Sequence, residues 1–150
     1  MNTRKATPDD IIPLSILFDA YRVFYKKKSD PEAAQNFLKE RITQNDSEIL
    51  VCETADGILA GFTQLYPLFS STRMQKLWLL NDLFVDKKYR GQGLSIQLIN
   101  RAKKLVVETN ACGMFLETEK SNAIGNALYP RAGFSLNTNS NYYEWNASNY

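Results

Sequence analysis

Residues 81–98 read NDLFVDKKYRGQGLSIQL, and they limit what this chain can fold into more than any other stretch. An apolar run (Leu77, Trp78, Leu79 and Leu80, then Leu83, Phe84 and Val85) stops at a charged turn carrying Lys87, Lys88 and Arg90. Gly91 and Gly93 follow, and a helix-periodic segment begins. A strand that feeds a glycine turn and then a helix start makes an anion site. Glycines let the backbone approach a ligand, and the first N–H groups of a helix have no helical partner. The turn is therefore read as a phosphate-binding turn, against the plainer reading of a strand–turn–helix link. Two familiar phosphate motifs fail on spacing. No Lys follows Gly93, as a P-loop requires. Ile96 stands at the third glycine of a dinucleotide fingerprint, where a branched side chain blocks close helix–strand packing.

The chain has 150 residues, enough for one domain with a real core and too few for two. A hydrophobic fraction of 44% and a charged fraction of 23% suit a globular protein in water. The net charge of +2 is spread along the chain, apart from Lys26–Lys28 and the 87–90 cluster, so no nucleic-acid-binding face is expected. No apolar run is long enough for a membrane span or a signal peptide, and the expected location is the cytoplasm. Cys52 and Cys112 lie in apolar, strand-like contexts and are read as two buried thiols rather than a bridge or a nucleophile. The absence of histidine removes His-based triads and the commonest zinc ligand, and no metal is expected. Proton transfer must then use carboxylates, tyrosine, backbone or water.

Along the chain, residues 4–7 suggest a short strand. Thr7 then caps a helix opened by Pro8, with Ile12, Ile16, Leu17, Ala20 and Phe24 as its apolar positions. Asp30-Pro31-Glu32 starts a second helix through Phe37, Leu38 and Ile42. Residues 48–54 and 58–66 form a hairpin around Asp56-Gly57. A strand then leads into the phosphate turn, and a helix over 95–109 carries Ile96, Ile99, Ala102, Leu105 and Val106 on one stripe. Residues 113–117 read as a buried strand. Ser121 or Asn122 caps another helix reaching Ala132, Gly133 ends it, and strands near Phe134 and over 142–145 close the chain. The order βααβββαβαββ predicts an α/β fold of the α+β type. Its sheet is mixed, mostly antiparallel and six- to seven-stranded, with helices on both faces.

Arg90-Gly91-Gln92-Gly93-Leu94-Ser95 resembles the R/Q-x-x-G-x-G/A signature of the GNAT superfamily of acetyl-CoA-dependent N-acetyltransferases. Ser95 departs from the usual Gly or Ala, but it is small and favours helix starts. The element order is also that of the GNAT fold. Glu117-Thr118, Asn122, Ala127-Leu128-Tyr129 and Gly133-Phe134 look like a further family segment, and Gly61-Phe62 before Tyr66 is similar to its third strand. The resemblance covers nearly the whole chain as one domain, 1–150. Tyr21-Arg22 with Phe24-Tyr25, taken with residues 81–85, looks most like the branch acting on histone tails, polyamines or lysine-like amines.

Acyl transfer from a thioester to an amine needs an anchored cofactor, a neutral amine, a polarised carbonyl and a protonated leaving group. The turn 90–95 would hold the pyrophosphate of acetyl-CoA through backbone N–H groups, with Arg90 as charge partner. The resemblance implies that Leu83, Phe84 and Val85 pair with the pantetheine arm. It also implies that this strand splays from the next one, leaving N–H groups free near the thioester oxygen. By family position Asn122 is a further cofactor contact, compatible with a plain N-cap role. Tyr129 is the family's candidate general acid, and the alternative is a core aromatic beside Leu128 and Phe134.

The base candidates are Asp82 and Glu117, each on a strand expected to flank the cleft, with Asp82 favoured. The plainer roles are a salt bridge for Asp82 and a backbone contact near Asn122 for Glu117. Tyr21, Arg22, Tyr25, Gln64 and Tyr66 are expected on the acceptor side. Arg22 suits a carboxylate, or is simply a cation on the helix surface.

The expected activity is acetyl transfer to a primary amine of a small molecule, polyamine or amino-acid-like, by direct attack in a ternary complex. The alternatives are acetylation of a protein lysine or N-terminus, and a CoA-binding module without turnover. Strand edges and the aromatics Tyr142, Tyr143, Trp145 and Tyr150 suggest a homodimer.

Overall fold

Thr7 and Asp10 start the first helix by holding each other. The Asp10 carboxylate accepts the Thr7 backbone N–H at 2.7 Å, and the Asp10 N–H donates to the Thr7 carbonyl at 3.0 Å. Pro8–Asp10 forms one 3-10 turn, and α1 follows over Ile11–Phe24, with Pro13 early enough to cost no helical hydrogen bond. Helix α2, Pro31–Gln44, is capped by Asp30, whose Oδ1 accepts the Ala33 N–H at 3.1 Å. Asn45, in the left-handed region, ends it.

The computed structural model describes residues 1–149, so Tyr150 lies outside the described residues. The backbone divides into Met1–Glu117 and a second unit that begins at Thr118. In the first unit, β1 (Asn2–Lys5), β2 (Glu48–Glu53), β3 (Leu59–Ser70), β4 (Gln75–Val85) and β5 (Met114–Phe115) form a sheet in the order β1-β2-β3-β4-β5. All pairs are antiparallel except β4–β5, which is parallel. Arg4 on β1 ties the sheet to the start of α1. Its guanidinium donates to Asp10 at 2.7 and 2.9 Å and to Glu53 on β2 at 2.9 and 3.0 Å.

Helices cover both faces of this sheet. Leu14, Leu17 and Phe18 of α1 and Ala34 and Leu38 of α2 pack with Ile49, Val51, Phe62 and Phe84 on one face. Helix α3, Leu94–Glu108, covers the other with Leu94, Leu98, Ile99, Ala102 and Leu105. The second unit contains α4, Ala123–Arg131, and a 3-10 turn at Ala147–Asn149.

Several expectations need correction. The described chain forms five strands, not six or seven; the segments at Phe134 and 142–145 take no part in a sheet. Asn side chains there bond to nearby backbone instead. Asn137 Oδ1 accepts the Asn139 N–H at 2.9 Å and Asn146 Oδ1 the Ser148 N–H at 3.2 Å, local bonds that compete with a ladder. Strand β5 is two residues rather than five and is not buried: Phe115 and Glu117 are exposed. On α3, Leu98 belongs to the buried stripe while Ile96 and Val106 sit at its margins. Cys52 is buried, but Cys112 is half-exposed, with an Arg73 N–H 3.5 Å from its Sγ. On α1 the expected apolar positions divide: Leu17 is buried, while Ile12, Ile16, Ala20 and Phe24 are exposed, because apolar residues on two sides of the helix let periodicity choose no face.

Gly61 on β3 lies close against β4; a Cβ there would lie 2.7 Å from the Phe84 carbonyl oxygen. Backbone cannot yield as a flexible side chain can. Gly61→Ala is expected to cost about 1 to 3 kcal/mol, the range of an overpacked site, read as a lower urea midpoint with an unchanged slope.

Candidate active site

The site begins with one extra residue in β4. Gln64 pairs with Asp82, but Leu65 pairs with Leu80, so Asn81 has no counterpart on β3. Such a bulge resets the alternation of side chains. Leu80 and Trp78 then face α3, where the Trp78 indole N–H donates to Thr109 at 2.9 Å. Asp82 and Phe84 face α1 with Phe62 and Gln64.

Asp82 is thereby buried at 5% exposure among donors. Gln64 Nε2 donates to its Oδ2 at 3.0 Å and Asn81 Nδ2 to its Oδ1 at 3.1 Å, and the Tyr21 hydroxyl also bonds the carboxylate. The Tyr21 ring is fixed edge-on against Phe62, Phe84 and Tyr25, at 5.8, 6.1 and 5.0 Å. Burial nevertheless outweighs these bonds and pushes the carboxyl above its ordinary pKa. Tyr66, on the same face of β3, is pushed up to about 12, first by burial and then by the negative charge of Asp82. Its phenol therefore stays protonated at neutral pH.

Gln64 is fully buried at 0% exposure, with its amide on the Asp82 carboxylate. Ser47, a residue without any local motif, donates from Oγ to Gln64 Oε1 at 2.9 Å and fixes which end of the amide meets Asp82. Its signal appears only when the strands are paired. Arg22 is engaged elsewhere. It lies 3.8 Å from Asp19 and donates to the Lys28 carbonyl at 3.3 Å, in the α1–α2 connection.

At the end of β4 the chain enters the glycine turn. Asp86 accepts the Lys88 N–H at 2.8 Å, and residues 87–89 form a 3-10 turn. Gly91 and Gly93 hold φ of 76° and 75°, and the space where a Cβ would sit is open to 4 Å at both. Gly93 caps α3, whose first helical bond runs from the Gln97 N–H to the Gly93 carbonyl at 3.1 Å. The earlier N–H groups lie at the open helix start, with Ser95 accommodated as the second helical residue. An uncrowded backbone with free N–H groups at a helix start is the kind of site that can receive a phosphate. Arg90 folds back: its Nε donates to the Val85 carbonyl at 2.9 Å, and its guanidinium lies over Phe24 and Phe84 at 5.5 and 5.6 Å.

The β4–β5 ladder ends at Leu79↔Phe115, so the β5-side edge of β4 at Leu83, Phe84 and Val85 has no strand partner among the described residues. Glu117 lies exposed beyond β5 and is not among the groups that bond Asp82.

In the second unit Asn122 caps α4, its Oδ1 accepting the Gly125 N–H at 3.0 Å while its Nδ2 donates to Thr118 at 2.9 Å. A Cβ at Gly125 would meet the Asn122 amide at 2.6 Å, so a larger residue there would displace the capping side chain. Tyr129 is half-buried late on α4, edge-on to Phe134 at 5.8 Å.

The sequence profile of the acetyltransferase (GNAT) family matches residues 14–134. The uncharacterised N-acetyltransferase YhfO of Bacillus subtilis is 39% identical over 138 residues, 92% of either chain. A probable acetyltransferase of Haemophilus influenzae is 29% identical over 148 residues, 99% of each chain. The crystal structure of a probable acetyltransferase, 33% identical, superposes with a TM-score of 0.93 over 97% of both chains. The chain belongs to the GNAT family and is an acetyltransferase. The general reaction of that family takes the acetyl group from acetyl-CoA. No helix among the described residues is long and apolar enough to cross a membrane, and no cluster of possible metal ligands occurs among them.

The raised Asp82 pKa has a stability consequence of definite sign. An acid that prefers its protonated form in the fold adds stability below its unfolded pKa of about 3.9, and that stability is lost as pH rises through the folded value. Asp82→Asn removes the charge and keeps an acceptor. The difference in Tm between the variant and wild type should therefore shift in favour of the variant from pH 3.5 to pH 7, read by calorimetry.

Proposed function

We propose that this chain, acting as a single domain over 1–150, transfers the acetyl group of acetyl-CoA to a primary amine of a small molecule. The acceptor is polyamine-like or amino-acid-like, and the attack is direct, in a ternary complex. The observation that carries this reading is the buried Asp82 carboxylate, ringed by Tyr21, Gln64 and Asn81, on the strand that leads into the glycine turn. A carboxylate this deep suits a slim alkylamine better than a broad protein surface. We further assign the enzyme to the cytoplasm and to a homodimer.

Bound acetyl-CoA supplies a thioester carbonyl and a thiolate leaving group. The N–H groups at 91–95 are assigned to the pyrophosphate, and the unpartnered edge at Leu83–Val85 to the pantetheine arm and the carbonyl oxygen. Arg90 acts through the fold, bracing the turn against Val85, with its outer nitrogens remaining for charge. An alkylammonium of pKa about 10.4 must lose a proton before it attacks. Asp82 takes that proton, and its raised pKa makes it a stronger base than an ordinary aspartate. Tyr21 and Tyr66 orient the amine, with Tyr25 and Arg22 farther out. Tyr129 is assigned the proton for the departing sulfur on its family position, and Asn122 a cofactor contact on the same ground. Glu117 is the weaker base candidate because it is exposed.

Calorimetric titration with acetyl-CoA should show micromolar binding to wild type and none to Gly93→Arg, which fills the turn. Tyr129→Phe should keep the affinity and lower kcat by roughly 10²- to 10⁴-fold in an amine screen, the range for one general acid. No binding to folded wild type would sink the cofactor assignment.

A further inference from the structure

Helix α1 carries apolar residues on two opposite sides, with Ser15, Asp19 and Arg22 between them. Leu14, Leu17 and Phe18 are buried, while Ile12, Pro13, Ile16, Ala20 and Val23 face solvent. Exposure reaches 64% at Ile12, 68% at Ile16 and 48% at Val23. At 100° per residue Ile12, Ile16, Ala20 and Val23 fall within about 80° of one another, one stripe along the helix. Its polar residues lie along one border, with Asp19 about 20° beyond Ile12 and Ser15 and Arg22 farther round. Ser15 is buried with its hydroxyl on the Ile12 carbonyl, and Asp19 and Arg22 are engaged in the α1–α2 connection. This stripe exposes an area on the order of the few hundred Å² that marks an interaction site.

Charge at the two ends says what covers it. Asp9 is exposed just before α1, and Lys26, Lys27 and Lys28 are exposed just after it. The surface is thus acidic at one end, apolar along its length and basic at the other. A second copy packed antiparallel across a two-fold axis sets Asp9 of each copy near the lysines of the other and opposes the two helix dipoles, with small Ala20 near the crossing. A parallel pairing sets like charge on like. The exposed C-terminal aromatics Tyr142, Tyr143 and Trp145 show no such self-complementary pattern, since Glu144 is the one charge among them.

We propose that the exposed α1 face is a homodimer interface, packed antiparallel against α1 of a second copy. The proposal rests on the homodimer reading above and locates it. The apolar stripe forms the core of the interface and the charged ends its rim.

Sedimentation equilibrium tests it. Wild type should run at twice the 17.1 kDa chain mass. Ile16→Lys should run at the single-chain mass with an unchanged far-UV circular dichroism spectrum, since Ile16 is 68% exposed and lies outside the core. Reversing Lys26, Lys27 and Lys28 to Glu should weaken the dimer about tenfold or more, and adding Asp9→Lys should recover it. Wild type at the single-chain mass removes the homodimer reading and this interface together. A dimer that survives Ile16→Lys keeps the homodimer reading and overturns this interface. Weakening by the lysine reversal without recovery overturns the antiparallel order.

Discussion

Asn81, the unmatched residue in β4, decides which way the C-terminal half of that strand faces. Without it, Asp82 would point at α3 and into the Leu94–Leu105 stripe, where a carboxylate has no donors. With it, Asp82 lies between β3 and α1, within reach of Gln64, Asn81 and Tyr21. The bulge also adds local bend and twist, and two residues upstream the parallel pairing with β5 ends. One backbone irregularity thus aims the carboxylate and accompanies the unpaired strand edge beside it. The glycine turn then follows directly from Val85, braced by the Arg90 side chain on the Val85 carbonyl.

The polar cluster is stable because it is nearly complete. Gln64 accepts from Ser47 on one side and donates to Asp82 on the other, so a fully buried amide leaves neither end idle. The carboxylate gathers three donors yet stays above its ordinary pKa, so desolvation wins. That balance suits a base: enough donors to fix its direction, too little water to make it weak.

Much of this was legible in the residues. Gly91 and Gly93 announced the turn because only glycine takes those φ values freely, and caps at Asp30 and Asn122 fell where short polar side chains meet helix starts. Asp82 stood out as a charge inside an apolar strand. Other parts were invisible for physical reasons. Ser47 reaches Gln64 only through strand pairing, and Arg90 is turned by a carbonyl and two rings remote in sequence. The C-terminal segment looks strand-like from its aromatics Tyr142, Tyr143 and Trp145, but Asn137 and Asn146 bond backbone two residues on, which favours turns over a ladder. Periodicity does not single out the buried face of α1 because apolar residues lie on two of its sides. That ambiguity is itself informative: a stripe that passes for a core stripe yet lies at the surface is what a self-association face looks like.

The account stands or falls on Asp82 being a buried, perturbed carboxylate. Carbon-13 NMR titration of the aspartate side chains, with Asp82→Asn to assign the resonance, measures it directly. The account predicts a midpoint clearly above the ordinary value of about 3.9, moving down when Phe62 or Phe84 is truncated and water enters. A midpoint at or below the ordinary value in the folded wild type would contradict it and remove Asp82 as the base.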